Sequence, residues 1–193
     1  MSHAAAVISS RSDGMMVARP LKAGLVGQKD VLRRVATLDT GDLMANTYTC
    51  LHYHFVFSTK NRHPWIGADV EERVWEYLGG IARRNGMKAI KVGGIEDHVH
   101  VVVGAPATWA PSKIVQLLKG GSSAWIHETF PSLAGFEWQD GYGAFTVSRS
   151  QLPDLIKYVD SQREHHRALT FKEEYRAFLE KHGIEYDERY LWG

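Results

Sequence analysis

The sequence predicts an α+β fold in which a four-stranded antiparallel sheet carries its helices on one face, of the ferredoxin-like or RRM-like type. Three observations favour this class. The hydrophobic periodicity gives the element order β-α-β-β-α-β-α. Only Glu96 and Asp97 separate the second strand from the third, which is typical of a β-hairpin. Apolar residues make up 44% of the 193 residues, which is enough to build a core.

The N-terminal residues differ in composition from the rest of the chain. Residues 1–44 are rich in Ala, Ser, Gly and Arg, contain no aromatic residue and show only a short helical pattern at 28–38. We therefore predict a poorly structured extension over 1–44, a folded domain over 45–168, and a helical, aromatic tail over 169–193.

The first strand is predicted over 47–59, where side chains alternate between two faces. One face carries Leu51, Tyr53, Phe55 and Phe57, and the other carries His52, His54 and Val56. The first helix follows over 69–85, because apolar residues recur there at helical spacing and Asn85-Gly86 ends the pattern.

The hairpin is predicted from strands over 87–95 and 98–103. A second helix begins at Pro111 and extends towards Trp125. We expect Gly120-Gly121 to loosen this helix midway, because glycine weakens a helix interior. The fourth strand is predicted over 143–147.

Two further helical patterns follow the fourth strand. Ser150 is predicted to cap a helix with Leu155, Ile156 and Val159 on its apolar side. The tail then places aromatic and aliphatic residues at helical spacing, and it ends in an aromatic-rich segment over 186–192. The spaced tail residues are Phe171, Tyr175, Phe178 and Leu179.

Composition excludes several classes of protein. Lys and Arg total 23 against 22 Asp and Glu, which argues against a protein that grips long duplex DNA by bulk charge alone. Cys50 is the single cysteine, so neither an intramolecular disulfide nor a cysteine zinc cluster can form, and a reducing compartment suits it. No apolar run reaches the roughly 20 residues that span a bilayer, and the N-terminus lacks a secretory pattern. We expect a cytoplasmic protein without a membrane partner.

A pair of histidines in the third strand is a candidate metal site. Residues two apart in a strand share a face, so His98 and His100 present two imidazoles side by side. Two neutral imidazoles can hold a divalent cation. Two alternatives stay open, because strand histidines are often only half-exposed packing residues, and His52 with His54 form a rival pair by the same geometry.

A tyrosine and an amide in the helix after the fourth strand supply complementary chemistry. Tyr158 and Gln162 are spaced i, i+4 and so share a helix face, with His165 or His166 near the same stripe. A tyrosine hydroxyl, with a pKa of about 10, is a poor nucleophile at neutral pH, but a nearby cation that polarises a phosphate offsets this. Gln162 offers an oxygen ligand. The alternative is a half-buried tyrosine with its hydroxyl in water.

Together these motifs resemble the single-tyrosine HUH transposases of small insertion sequences, including the REP-associated tyrosine transposases. HUH denotes His-hydrophobic-His, matched by His98-Val99-His100, and the nucleophile segment is matched by Tyr158, Val159 and Gln162. The opening strand pattern is matched by Tyr53, His54, Phe55, Val56, Phe57, Thr59, Lys60 and Arg62. The resemblance spans about 45–193 and identifies 45–168 as a catalytic domain.

The resemblance implies an endonuclease and strand transferase for single-stranded DNA that recognises a hairpin. Tyr158 would form a 5′-phosphotyrosine link, and His98, His100 and Gln162 would hold Mg²⁺ or Mn²⁺, with His165 or His166 as auxiliary groups. Such transposases are commonly homodimers in which one chain's tyrosine serves the partner's histidines. Four basic residues at element ends are candidate phosphate contacts. They are Lys60, Arg62, Lys113 and Lys119.

Two other functions remain compatible with these residues. One is a metal-dependent phosphodiester hydrolase that uses the histidines without the tyrosine. The other is a catalytically inactive or host-retained relative that binds nucleic-acid hairpins without cutting them.

Overall fold

In the computed structural model, residues 48–192 are described, and they contain a four-stranded sheet with the strand order β2-β3-β1-β4. The strands are β1 (His52–Ser58), β2 (Lys88–Ile95), β3 (His98–Gly104) and β4 (Gly143–Thr146). Every neighbouring pair is antiparallel. The predicted α+β class and ferredoxin-like order are confirmed, with β1 and β3 at the centre.

Six α-helices accompany the sheet within the described residues. They are α1 (Glu71–Arg84), α2 (Pro111–Thr129), α3 (Leu152–Asp160), α4 (Gln162–His165), α5 (Phe171–Lys181) and α6 (Glu188–Leu191). A capping box begins α5, because Thr170 and Glu173 exchange side-chain and backbone hydrogen bonds.

The main core lies between the sheet and the pair α1 and α2. Alternation along β1 and β3 directs one set of apolar side chains to this layer. The set comprises Phe55, Phe57, Val99, Val101 and Val103. Helical spacing supplies the opposing side chains. They include Val74, Leu78, Ile81, Ile114 and Leu118.

The opposite face of the sheet is also covered, which corrects the expectation of helices on one face only. Both α3 and α4 pack against β2. A second apolar cluster forms where the tail meets the sheet, around Val56, Phe145, Phe171 and Leu179. The physical reason is that β1 and β3 carry apolar residues on both faces, so the second face also has to be buried.

The second helix is continuous through Gly120-Gly121, so the expectation of a loosened midpoint is wrong. A Cβ on Gly121 would lie 3.0 Å from Ile81 Cδ1, which shows that this glycine permits close packing of α2 on α1. Packing of α2 on α1 therefore outweighs the low helix propensity of the two glycines.

Ser150 does not cap α3, contrary to the sequence-based expectation. A short 3₁₀ turn, Arg149–Gln151, leads directly into the helix, and Gln151 occupies the cap position without a side-chain hydrogen bond. The Ser150 hydroxyl instead lies 3.0 Å from the hydroxyl of Ser148.

The predicted extension over 1–44, with its helical pattern at 28–38, lies outside the described residues. From Tyr48 onward the chain forms one unit, and the predicted boundaries near residues 45 and 169 stay predictions. Across 48–192 no helix combines the length and the apolar character needed to cross a membrane.

A glycine on β2 sets how closely α3 approaches the sheet. A Cβ on Gly93 would lie 2.9 Å from Val159 Cγ1 and 3.2 Å from the Val159 carbonyl oxygen. We predict that Gly93→Ala lowers the free energy of unfolding by about 1–3 kcal/mol, through overpacking against backbone.

Gly80→Ala is the matched control, because a Cβ there meets nothing within 4 Å in the middle of α1. It should raise the free energy of unfolding by about 0.4–1 kcal/mol. Urea denaturation of both variants measures the difference. Equal changes in the free energy of unfolding of the two variants would show that the packing of α3 does not depend on this close approach.

Candidate active site

Two fully buried histidines on β3 form the centre of the site. His98 and His100 point to the face opposite the main core, and both have 0% exposure. β3 lies between β2 and β1, so its backbone is fixed by hydrogen bonds on both sides. The sheet therefore holds the two imidazoles rigidly, as the period of a strand predicts.

A carboxylate from the tail completes this cluster, and the sequence reasoning missed it. Glu174 on α5 is only 4% exposed, and its oxygens lie 3.7 Å from Nε2 of His98 and 3.7 Å from Nε2 of His100. One ligand atom from each of the three residues lies within 4.8 Å of the others. Two imidazoles and a carboxylate are a donor set suited to a divalent cation.

Gln162 and His166 reach the same cluster. The Gln162 Oε1 atom lies 3.2 Å from His98 Nε2, and the Gln162 amide donates to Glu174 Oε1 at 3.1 Å. His166 Nε2 lies 3.2 Å from His98 Nε2 and 3.3 Å from Glu174 Oε2. His165 is farther away, with Nε2 at 3.8 Å from Glu174. The structure thus brings together His98, His100, Gln162 and His166 around a carboxylate.

The segment from Tyr158 to Gln162 is not one helix, which corrects the expectation of an unbroken i, i+4 face. Helix α3 ends at Asp160, Ser161 lies between the helices with φ −95° and ψ 15°, and Gln162 begins α4. The Ser161 hydroxyl donates to the Tyr158 carbonyl at 3.2 Å. Gln162 is buried against His98, so its amide belongs to the cluster.

The outer nitrogen of each strand histidine has a polar partner. His98 Nδ1 lies 2.7 Å from Asp97 Oδ1, and His100 Nδ1 lies 2.9 Å from His54 Nε2. Such contacts fix the ring orientation and direct the Nε2 atoms into the cluster. His54 therefore has the hydrogen-bonding role that was left open, whereas His52 lies apart, 3.9 Å from Cys50 Sγ.

Burial shifts the pKa values of His54, His100 and Glu174 towards their uncharged forms. Burial lowers the pKa of His54 to about 3, with a further contribution from His182. Burial, followed by the neighbouring histidines, also lowers the pKa of His100 well below its usual range. Burial raises the pKa of Glu174 to about 8, and the charge on Asp97 adds to this. Neutral imidazoles are the form that coordinates a metal.

Two buried atoms of the cluster have no hydrogen-bond partner among the described residues. They are His100 Nε2 and Glu174 Oε2. Unpaired buried polar atoms are costly and rare in folded proteins. Both atoms face the other donors, so a divalent cation would satisfy them, and the residues present fit such a group.

Tyr158 lies beside the histidine and carboxylate cluster of its own chain. Its ring centre is 5.6 Å from that of His100 and 5.2 Å from that of His165, nearly perpendicular to the first. The hydroxyl is buried and has no hydrogen-bond partner among the described residues. A free phenolic oxygen next to a set of metal ligands is a suitable arrangement for nucleophilic attack.

The four basic candidates lie in different surroundings. Lys119 donates to the carbonyls of Gln139, Asp140 and Gly141 at 2.5, 3.2 and 2.7 Å, and burial lowers its pKa to about 8. This lysine anchors the loop before β4. Lys60 contacts Glu137, and Lys113 contacts Gln116. Arg62 lines a cavity near Trp192. Their contact with DNA stays a prediction.

Comparison with known proteins places this site in a family context. The family model described as "Transposase IS200 like" matches residues 47–162. The chain is 30% identical over 119 residues to the ISDra2 transposase TnpA of Deinococcus radiodurans, covering 59% of this chain and 85% of that protein. It is 26% identical over 123 residues to the IS200 transposase of Salmonella typhimurium, covering 60% and 80%.

A solved structure has the same fold. A crystal structure of a candidate transposase from Deinococcus radiodurans R1 superposes with a TM-score of 0.51 at 28% identity. It covers 61% of this chain and 94% of that protein. The family match ends at residue 162, so α5 and its Glu174 lie beyond the matched region.

The raised pKa of Glu174 predicts a pH-dependent stability in metal-free protein. The folded pKa of about 8 exceeds the ordinary value of 4.5, so the protonated carboxyl stabilises the fold below pH 4.5, and this stability is lost as the pH rises through 8. In EDTA, the melting temperature of the parent should fall between pH 5 and pH 9 relative to that of Glu174→Gln.

With saturating Mn²⁺ at pH 8, the melting temperature of the parent should instead exceed that of Glu174→Gln, because the ionised carboxylate then gains a cation. Thermal unfolding of both proteins, with and without Mn²⁺, measures this. A melting temperature that responds to Mn²⁺ equally in the two proteins would contradict a contact between Glu174 and the metal.

Proposed function

The chain belongs to the family of IS200-like transposases, and from this premise we propose that it cleaves and rejoins single-stranded DNA through Tyr158. In this proposal His98, His100, Gln162 and Glu174 hold a divalent cation, Mg²⁺ or Mn²⁺, with His166 as an auxiliary ligand. One observation carries the proposal most directly. The ring of Tyr158, whose hydroxyl has no hydrogen-bond partner among the described residues, lies next to a buried cluster that itself has unpaired polar atoms.

A divalent cation held by these residues would supply electrostatic stabilisation, because it would draw charge from the phosphate oxygens and so offset the weak nucleophilicity of a tyrosine hydroxyl. The protein residues orient the ligands for that task. Asp97 and His54 fix the two imidazoles, and Gln162 donates to Glu174, so the donor atoms are held before DNA arrives.

Tyr158 performs the covalent step. Its oxygen forms a bond to the scissile phosphorus, the bond from phosphorus to the 3′ oxygen breaks, and that oxygen takes up a proton from solvent and leaves as a 3′-OH. We assign acceptance of the hydroxyl proton to His165, whose ring centre lies 5.2 Å from that of Tyr158. The product is a 5′-phosphotyrosine. In the joining step, a 3′-OH from another strand attacks this phosphorus, and the bond from phosphorus to the Tyr158 oxygen breaks.

The nucleophile acts in its own chain in this proposal. Helix α3 is tied to β2 by an ion pair between Asp160 and Lys91, and Arg163 pairs with Glu71 on α1. Gly93 allows Val159 to pack directly on the sheet. A homodimer, expected from the resemblance, would then contain two sites that are each complete within one chain.

DNA recognition is proposed by analogy with the family. The resemblance favours a DNA hairpin as the recognised element, and Lys60, Arg62 and Lys113 are the proposed phosphate contacts. Lys119 would contribute by holding the loop over 139–141, which lines the same cavity as Arg62. Binding through such lysines and arginines weakens with salt.

The test of the nucleophile is adduct formation on single-stranded DNA. We expect the parent protein to form a denaturant-stable adduct with 3′-end-labelled DNA in Mn²⁺, and Tyr158→Phe to reduce cleavage at least about a thousandfold, because the attacking oxygen is gone. Denaturing electrophoresis measures both. Tyr77→Phe is the matched control, because Tyr77 on α1 stacks on Trp125 of α2, in the helical layer that packs on the main core.

Three results would each contradict part of the proposal. Cleavage that survives Tyr158→Phe would indicate a water-activating hydrolase. Binding without any cleavage or adduct in the parent would indicate an inactive hairpin-binding protein. An adduct that forms fully in EDTA would exclude the role of the cation.

Mixing two inactive variants tests whether Tyr158 acts in its own chain. A mixture of Tyr158→Phe and His100→Ala proteins should remain inactive, because no chain holds both groups. If the tyrosine of one chain served the histidines of another, mixed dimers would contain one intact site, and up to about a quarter of the parent activity would return. Cleavage measured after co-refolding of the two variants distinguishes these outcomes.

A further inference from the structure

An unassigned cavity is lined by Tyr158 and by residues that precede it on α3. It has a volume of about 370 Å³ and is bounded by α3, α5 and the end of β4. We call it the α3–α5 pocket. The lining residues that matter here are Gln151, Asp154, Tyr158, Phe178, Lys181 and His182.

We propose that the α3–α5 pocket binds the unpaired base of the nucleotide that stays joined to Tyr158 after cleavage, and that it prefers a base with an exocyclic amino group. The inference rests on the proposed function, because it takes Tyr158 as the nucleophile. It adds a specificity site to that function, formed by residues of α3 and of the tail.

The aromatic side chains of the pocket provide a stacking surface. Phe178 stacks on Phe145 with ring centres 5.3 Å apart, and Phe145 lies 4.5 Å from the ring of His182. Phe178 also stands edge-on to Tyr158 at 5.9 Å. Unpaired bases stack on such surfaces in proteins that bind single strands. A base held there would be adjacent to the nucleophile.

The position of the pocket selects which nucleotide enters. Attack on phosphorus is in line, so the leaving 3′ oxygen lies on the far side of the phosphorus from Tyr158. The nucleotide that keeps the phosphate is the one joined to Tyr158, so it stays next to the pocket. Lys181 lines this pocket together with Tyr158, and its positive charge attracts the backbone phosphate of that nucleotide.

A carboxylate one turn before Tyr158 on α3 supplies the base preference. Asp154 precedes Tyr158 by four residues, which is about 6 Å along the helix axis. A carboxylate accepts hydrogen bonds from the exocyclic amino group of cytosine or adenine, whereas thymine presents an oxygen at that position. The charge of Asp154 also repels phosphate, so this end of the pocket suits a base and the Lys181 end suits the backbone.

Binding of homopolymers separates the base contact from the backbone contact. The probes are fluorescein-labelled (dC)₁₂ and (dT)₁₂, titrated at pH 8 and one fixed salt concentration with Tyr158→Phe protein, which cannot form the adduct. We expect (dC)₁₂ to bind about 5-fold tighter or more, as one additional hydrogen bond to a charged acceptor implies. Adding the substitution Asp154→Ala to the Tyr158→Phe protein should abolish this preference. Adding the control substitution Glu180→Ala on α5 should leave the preference unchanged.

Two lysines on α5 test the backbone contact. Lys181→Ala should weaken (dC)₁₂ and (dT)₁₂ by the same factor, because phosphate contacts carry no base information. Lys172→Ala is the matched control, since Lys172 lies over the ring of Trp192 and away from the pocket. Both altered residues are on the surface of the helix, so circular dichroism should show an unchanged fold.

Equal binding of the two homopolymers, or a preference that persists in Asp154→Ala, would overturn the pocket proposal. The binding measurement does not require cleavage. If the preference depends on Asp154 but the parent forms no adduct, base recognition is supported and the transesterase function fails. If the adduct forms but the preference is absent, the function stands and the pocket proposal fails.

Discussion

Burial of two imidazoles on one face of a central strand is the constraint on which the rest of the site depends. His98 and His100 have no solvent contact, so their nitrogens must find partners inside the protein. Asp97 and His54 take the outer nitrogens, and burial keeps His54 and His100 uncharged. The inner nitrogens are thereby directed at a common point. A cation held there by the histidines, Glu174 and Gln162 would satisfy the unpaired atoms of the cluster.

The C-terminal tail connects the fold with the chemistry. Helix α5 packs aromatic and aliphatic residues on the second face of the sheet, and the same helix carries Glu174 into the histidine cluster. One turn later Phe178 reaches Tyr158. A substitution in the tail would therefore affect stability, the histidine and carboxylate cluster and the surroundings of Tyr158 together, although the tail lies beyond the region matched by the family model.

Much of this site follows from the sequence, and the exceptions have physical reasons. The two-residue period of a strand places His98 beside His100, and the spacing from Tyr158 brings Gln162 near them, even though Ser161 interrupts the helix. Glu174 was missed because no local pattern links a tail residue to a strand 74 residues earlier. A signal was present, since Phe171, Glu174 and Phe178 share one helical stripe, and a carboxylate on an apolar stripe needs a partner.

The central claim is that this cluster is a metal site built from two strand histidines and a tail carboxylate. Anomalous diffraction from crystals of the protein grown with saturating Mn²⁺ tests it most directly. The account predicts one manganese peak per chain, bonded to Nε2 of His98, Nε2 of His100 and an oxygen of Glu174. A structure in which manganese binds elsewhere, or in which Glu174 stays hydrogen-bonded to Gln162 with no metal contact, would contradict it.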